Sequence, residues 1–210
     1  MLKTYMIHYT PLIDRKKFFE EELAKQQVQY ECITSHDKEN LTDKDISKFK
    51  SSLNKKFISN FLKHLSAIEK ISRSNNEINL IIEDDVILCD NFKEKMFKYY
   101  NELPSDFDFM FLGGEPGKQW DVPSHMIQPN KNCYKNPRFF TKTLDAYIIN
   151  VKTAENVINY YNQTPNNSLH IETDHWLNQY MKQHNSKVYW CYPRLVEHGS
   201  AIKFFKSSLR

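Results

Sequence analysis

The stretch Ile78-Asn79-Leu80-Ile81-Ile82-Glu83-Asp84-Asp85-Val86 constrains the chain most: an apolar run stops on three consecutive carboxylates. A short run rich in Ile and Leu reads as a buried strand, and no core tolerates three unpaired negative charges. The acids therefore belong at the strand's exposed C-terminal end, where open α/β sheets bind their ligands. Side chains alternate along a strand, so Glu83 and Asp85 are expected to face one way and Asp84 the other. Two hard oxygen donors converging on one point suit Mg²⁺ or Mn²⁺, especially a cation shared with a diphosphate.

Bulk properties narrow the setting. At 210 residues, a single domain spanning 1–210 is the default. The net charge of +3, with both signs interspersed, makes no case for nucleic acid as a partner. The N-terminus, Met1-Leu2-Lys3-Thr4-Tyr5, lacks the apolar core of a signal peptide. No stretch approaches the ~20 apolar residues of a membrane helix. Cys32, Cys89, Cys133 and Cys191 are widely spaced and form no Cys-x-x-Cys pair, as expected of reduced thiols in a cytoplasmic protein.

Along the chain, strands are expected at Thr4–Tyr9, Val28–Thr34, Ile78–Ile82, Asp106–Leu112, Ala146–Val151 and Lys187–Tyr192. Helices are expected at Asp14–Gln27 with Asp14 as N-cap, at Phe57–Ile71 on the spacing of Phe57, Phe61, Leu65 and Ile68, at Asn91–Tyr100, and at Thr153–Tyr161. A further helix runs from Thr173, its expected cap, to about His184, with Asp174 in its first turn. Glu39–Asn54 reads as a surface loop with a short helix, and Glu115–Phe140 as a functional loop. Strands alternating with helices point to parallel βαβ units.

In their order these segments resemble glycosyltransferase family 25, the group of lipopolysaccharide glycosyltransferases and collagen β-galactosyltransferases. The resemblance is carried by the first strand followed by Arg15, by Phe61-Leu62-Lys63-His64-Leu65-Ser66-Ala67-Ile68, and by the Leu80–Val86 signature. It continues through Ala146-Tyr147-Ile148-Ile149, Glu172-Thr173-Asp174-His175-Trp176-Leu177 and Tyr192-Pro193-Arg194-Leu195-Val196, with Ser207 or Ser208 in the tail. Two positions depart from the pattern: Lys63 stands where Ser is common before the His, and Glu197-His198-Gly199 where a Gln is common.

The resemblance implies an α/β fold of GT-A (Rossmann-like) type, with a mixed, mostly parallel central sheet flanked by helices. It implies a UDP-sugar donor, a divalent cation (Mn²⁺ or Mg²⁺), and transfer of galactose or glucose with inversion to a hydroxyl of a glycan or of hydroxylysine in a collagen-like protein. Asp85 becomes the principal metal ligand, with Glu83 supporting it and His198 completing the set. Thr10, Arg15, Asp37, His64 and Asp84 become donor contacts, and Gly113, Gly114 and Glu115 line the acceptor side. An inverting transfer needs a carboxylate that takes the acceptor's proton; Asp174 is the candidate base, with Glu172 and Asp145 as alternatives. Lys203 and Lys206 are candidates to clamp the diphosphate, and Trp120, Tyr134, Phe139 and Phe140 to stack on a sugar. The rival expectation is an inactive nucleotide-sugar or glycan-binding module. A nucleotidyltransferase would carry a Gly-rich phosphate loop near the first strand, and no glycine precedes Gly113.

Overall fold

The computed structural model describes residues 1–114, 122–136, 141, 143–200 and 202–206. Glu115, Trp120, Phe139, Phe140, Ser207 and Ser208 lie outside the described residues. The chain opens with β1 (Leu2–Ile7), α1 (Ile13–Lys25) and β2 (Tyr30–Ile33), a parallel βαβ unit. Next come α2 (Asp43–Ile46), α3 (Lys55–Ser72), β3 (Ile78–Glu83), β4 (Val86–Leu88), α4 (Phe92–Tyr100) and β5 (Phe109–Phe111). A 3-10 turn at Ser124–Met126 precedes β6 (Cys133–Lys135), β7 (Ala146–Ile149), α5 (Val151–Gln163), α6 (Thr173–Gln183), β8 (Val188–Cys191) and β9 (Val196–His198).

Among the described residues, seven strands form one sheet in the order β2-β1-β3-β7-β5-β8-β6. The pairings run five strands one way and reverse β6 and β7, so the sheet is mixed and the arrangement Rossmann-like. The parallel βαβ pattern therefore governs the first half of the chain and gives way to antiparallel partners in the second. The direction of winding changes at β1, which has β2 on one side and β3 on the other. Ligand crevices form at such a switch point.

Alternation along β3 explains why its sequence is apolar almost throughout. Ile78, Leu80 and Ile82 join Met6, Met110 and Ile148 in one core with Phe19 of α1 and Phe92 of α4. Ile81 joins Tyr5, Phe109 and Tyr147 in the other, with residues of α3, α5 and α6. A strand covered on both faces needs apolar residues on both. The Phe61 ring of α3 lies 5.1 Å from Phe49 and 5.0 Å from Trp176, tying three segments together.

Two expected caps are corrected. Leu12 is the N-cap of α1, and Asp14 sits in its first turn. Glu172 is the N-cap of α6, while Thr173 is the first helical residue and donates its hydroxyl to Asn60 Oδ1 of α3 at 3.1 Å. In the second case a tertiary contact claims the hydroxyl that would have capped the helix. The short α2 has the stronger local signal, a capping box between Thr42 and Asp45. All four cysteines are free thiols. No helix among the described residues is long and apolar enough to cross a membrane.

Candidate functional site

Polar side chains gather where several elements meet one edge of the sheet. His8 follows β1, Glu83 ends β3, Gly113 follows β5 and Asp145 precedes the reversed β7, so all four emerge at the same edge. The ribbon of β4 and β9 then brings His198 beside Asp85, through the pairing Val86↔His198.

The three acids divide differently from the strand-alternation expectation. Pairing with β1 stops at Glu83, and Asp84-Asp85 form a turn, which ends the two-residue period. Glu83 accepts from Asn60 Nδ2 and lies 3.1 Å from His64 Nε2, both on α3. Asp84 and Asp85 instead share Arg15 of α1, whose Nη1 lies 3.0 Å from Asp84 Oδ1 and 3.4 Å from Asp85 Oδ2. The other oxygen of Asp84 is 2.5 Å from His8 Nδ1. Both oxygens of Asp84 are thus engaged inside the protein.

Asp85 is the more available of the two. Its Oδ2 accepts from Ser200 Oγ at 2.5 Å and lies 3.4 Å from His198 Nε2. Its Oδ1 is buried without a hydrogen-bond partner among the described residues. Burial by itself would raise the Asp85 pKa, but His198, Ser200 and Arg15 outweigh burial and hold it below the ordinary carboxylate value. His198 shows the converse. Burial alone would lower its pKa, and the flanking carboxylates Asp145 and Asp85 raise it to about 11. Asp145 is 1% exposed, and its own pKa is raised by that burial against the pull of His198.

The candidate donor residues fall into two groups. Asp37, just beyond β2, accepts from Lys63 Nζ at 2.7 Å and from the Thr10 amide at 3.5 Å. Burial would raise the Asp37 pKa, yet Lys63 and Thr10 bring it below the ordinary value. The departure at Lys63 is therefore answered by the acid at Asp37. His64 is fully buried between Glu83 and the Tyr147 hydroxyl, which is 3.1 Å from its Nδ1. It supports Glu83 from within the core.

Asp174 is half-buried in the first turn of α6 and accepts from the His175 amide at 2.8 Å. Burial and the neighbouring charges of Glu172 and Glu83 raise its pKa, with His175 opposing them. Gly113 packs against Asp145: a Cβ there would meet Asp145 Oδ2 at 2.8 Å and Val196 at 2.9 Å. Gly114 has φ 154°, and its carbonyl accepts from Arg194. Tyr134 is buried, its hydroxyl held by the loop carbonyls of Gln128 and Lys131. Lys203 is exposed, and the Lys206 carbonyl accepts from Arg15.

Sequence reasoning did not single out His8, Asn60 or Ser200. Only His8 carries a signal, a polar residue closing an apolar strand as Glu83 does. Asn60 and Ser200 join the site through tertiary packing alone.

A cation has a partial fit. Asp85 with its unpaired Oδ1 supplies an oxygen donor suited to Mn²⁺ or Mg²⁺, and the adjacent His198 would supply a nitrogen donor once the cation displaces its Nε2 proton. Glu83 is turned to α3. Among the described residues, no three His, Cys, Asp or Glu side chains are gathered to hold a metal. Two protein ligands are what a cation also bound by substrate phosphates requires.

Fold and site define an α/β protein with a cluster of acids and their basic partners at the strand ends beside a topological switch point. The family model of glycosyltransferase family 25, described as LPS biosynthesis protein, matches residues 1–177, and the chain belongs to that family. It is also similar to the procollagen lysyl hydroxylase and glycosyltransferase of Acanthamoeba polyphaga mimivirus, at 28% identity over 82 residues. That match covers 38% of this chain and 9% of the viral protein.

Proposed function

We propose that the chain transfers a hexose, galactose or glucose, from a UDP-sugar to a hydroxyl of a glycan or of hydroxylysine, with Mn²⁺ or Mg²⁺ and with inversion. The observation that carries this is the buried Asp85 carboxylate, with one oxygen unpaired beside His198, in a chain of family 25. The family description supports a lipopolysaccharide acceptor, and the viral relative's name supports a collagen-type lysine derivative.

Asp85 and His198 would hold the cation, which when bound neutralises charge developing on the leaving diphosphate. Asp84 acts on the donor through Arg15, whose guanidinium it orients. Thr10 and Asp37, fixed by Lys63, form the donor contact at the far side of β1. Asp174 takes the acceptor proton as the hydroxyl attacks. Its raised pKa favours that role, because a base works best when its pKa approaches the working pH.

The deciding experiment measures UDP release from UDP-galactose and UDP-glucose with Mn²⁺, with and without acceptor. Asp85→Ala abolishes it. Turnover that survives this change would mean the site is elsewhere. A wild type that binds donor but neither transfers nor hydrolyses it would be a binding module.

A further inference from the structure

Directly behind His198 lies a buried carboxylate that the proposed chemistry does not use. Asp145 is 1% exposed, and neither of its oxygens has a hydrogen bond among the described residues. Its Oδ1 lies 3.1 Å from His198 Nδ1, while the ring's other nitrogen, Nε2, lies 3.4 Å from Asp85 Oδ2. The imidazole thus stands between the two carboxylates, one at each nitrogen.

Burying a carboxylate is costly, and an apolar residue at the start of β7 would avoid that cost. The fold makes room for the acid. The close approach of Gly113 leaves no space for any side chain, because a Cβ there would stand 2.8 Å from Asp145 Oδ2. Three elements converge to build the contact: the end of β5, the start of β7 and the end of β9.

We propose that Asp145 is a positioning residue that fixes the His198 ring, with Nδ1 turned to itself and Nε2 turned to Asp85. The proposal rests on the reading of Asp85 and His198 as the cation's partners. Its burial removes Asp145 from contact with an acceptor, so it is not the base. A carboxylate at Nδ1 keeps the proton on that nitrogen and leaves Nε2 to face the cation, an arrangement that orients metal-binding histidines generally.

The test uses the full chain. In proton–nitrogen correlation spectra of the wild type with Mg²⁺ at neutral pH, the His198 signals are assigned by their loss in His198→Ala. The expected result is a neutral ring with the proton on Nδ1 and Nε2 unprotonated. Asp145→Asn shifts the His198 Nδ1 and Nε2 resonances and, with UDP present, weakens Mn²⁺ binding by about 10–100-fold, read from the paramagnetic resonance of the free ion. An Asp145 that served packing alone would leave both readouts of the folded variant as in the wild type. An unprotonated Nδ1 or a doubly protonated ring in the wild type, or unchanged His198 resonances in Asp145→Asn, overturns the proposal. A wild type that binds no Mn²⁺ with UDP present overturns the cation reading instead, and the His198 resonances then decide the role of Asp145 by themselves. If Asp145→Asn does not fold, the wild-type spectrum alone carries the decision.

Discussion

Asp84 and Asp85 are neighbours with unlike duties. Asp84 anchors Arg15 and His8, and all three side chains are buried. Removing one member of such a cluster leaves the others charged or unpaired. Asp84→Ala should cost roughly 3–5 kcal/mol, the range for breaking a buried pair, in urea unfolding. Asp174 presents the opposite balance. Its folded pKa is raised by burial, so the neutral form is the one the fold favours. That contribution is present below the unfolded pKa and is lost as pH rises through the folded one. Asp174→Asn should therefore leave stability at neutral pH equal or higher, while lowering turnover roughly 10²–10⁴-fold, the usual worth of a general base. An acid serving only the helix dipole would lose stability on the same change. In the wild type, turnover should fall on the acid side of this raised pKa, and the limb should vanish in Asp174→Asn. Little of this pairing is readable in the sequence. The acids announce themselves by following an apolar run, but their partners His8, Asn60 and Ser200 come from distant segments.

Periodic segments emerged close to expectation. The helix read at Phe57–Ile71 is observed as Lys55–Ser72, and the strand at Ile78–Ile82 as Ile78–Glu83. Both carry long apolar patterns that packing only reinforces. The three-residue strands β4, β6 and β9 were not foreseen, because each is defined by its partner and has no pattern of its own. The β4–β9 ribbon matters most among them, since it carries His198 to Asp85 and leads into the tail. There Gly199 donates to the Asp85 carbonyl, and a Cβ on it would meet that oxygen at 2.6 Å. Phe204 and Phe205 then pack on Phe18 of α1, each with ring centroids 5.3 Å away, and Phe205 lies 5.3 Å from the Arg15 guanidinium. The tail is therefore a strap over the cluster that Arg15 organises. Phe205→Ala should loosen it at a cost of roughly 0.5–1.5 kcal/mol for each ring pairing lost. Hydrogen exchange should accelerate in residues 199–206 and leave β3 unaffected.

The two apolar cores share the sheet as their common wall. Met6 faces one core and Tyr5 the other; Ile82 and Ile81 divide in the same way, as do Met110 and Phe109. Neither layer of helices can bury its apolar side without strands that also serve the opposite layer. The order of the sheet strengthens this dependence. Strands from the first half of the chain (β2, β1, β3) meet β7 from the second half, and β7 is in turn bound to β5. No cut in the sequence separates one core from the other. Cooperative unfolding follows from that sharing. The chain, in a Trp120→Phe background that leaves Trp176 and Trp190 of one core as the fluorophores, should unfold in a single transition, with tryptophan fluorescence coinciding with far-ultraviolet circular dichroism, which reports both layers. Phe61→Ala, which removes the ring between Phe49 and Trp176, should cost roughly 3–5 kcal/mol. It should lower both curves together, although α1 and α4 lie on the far side of the sheet. Separate midpoints for the two probes would show that the layers fold as independent units.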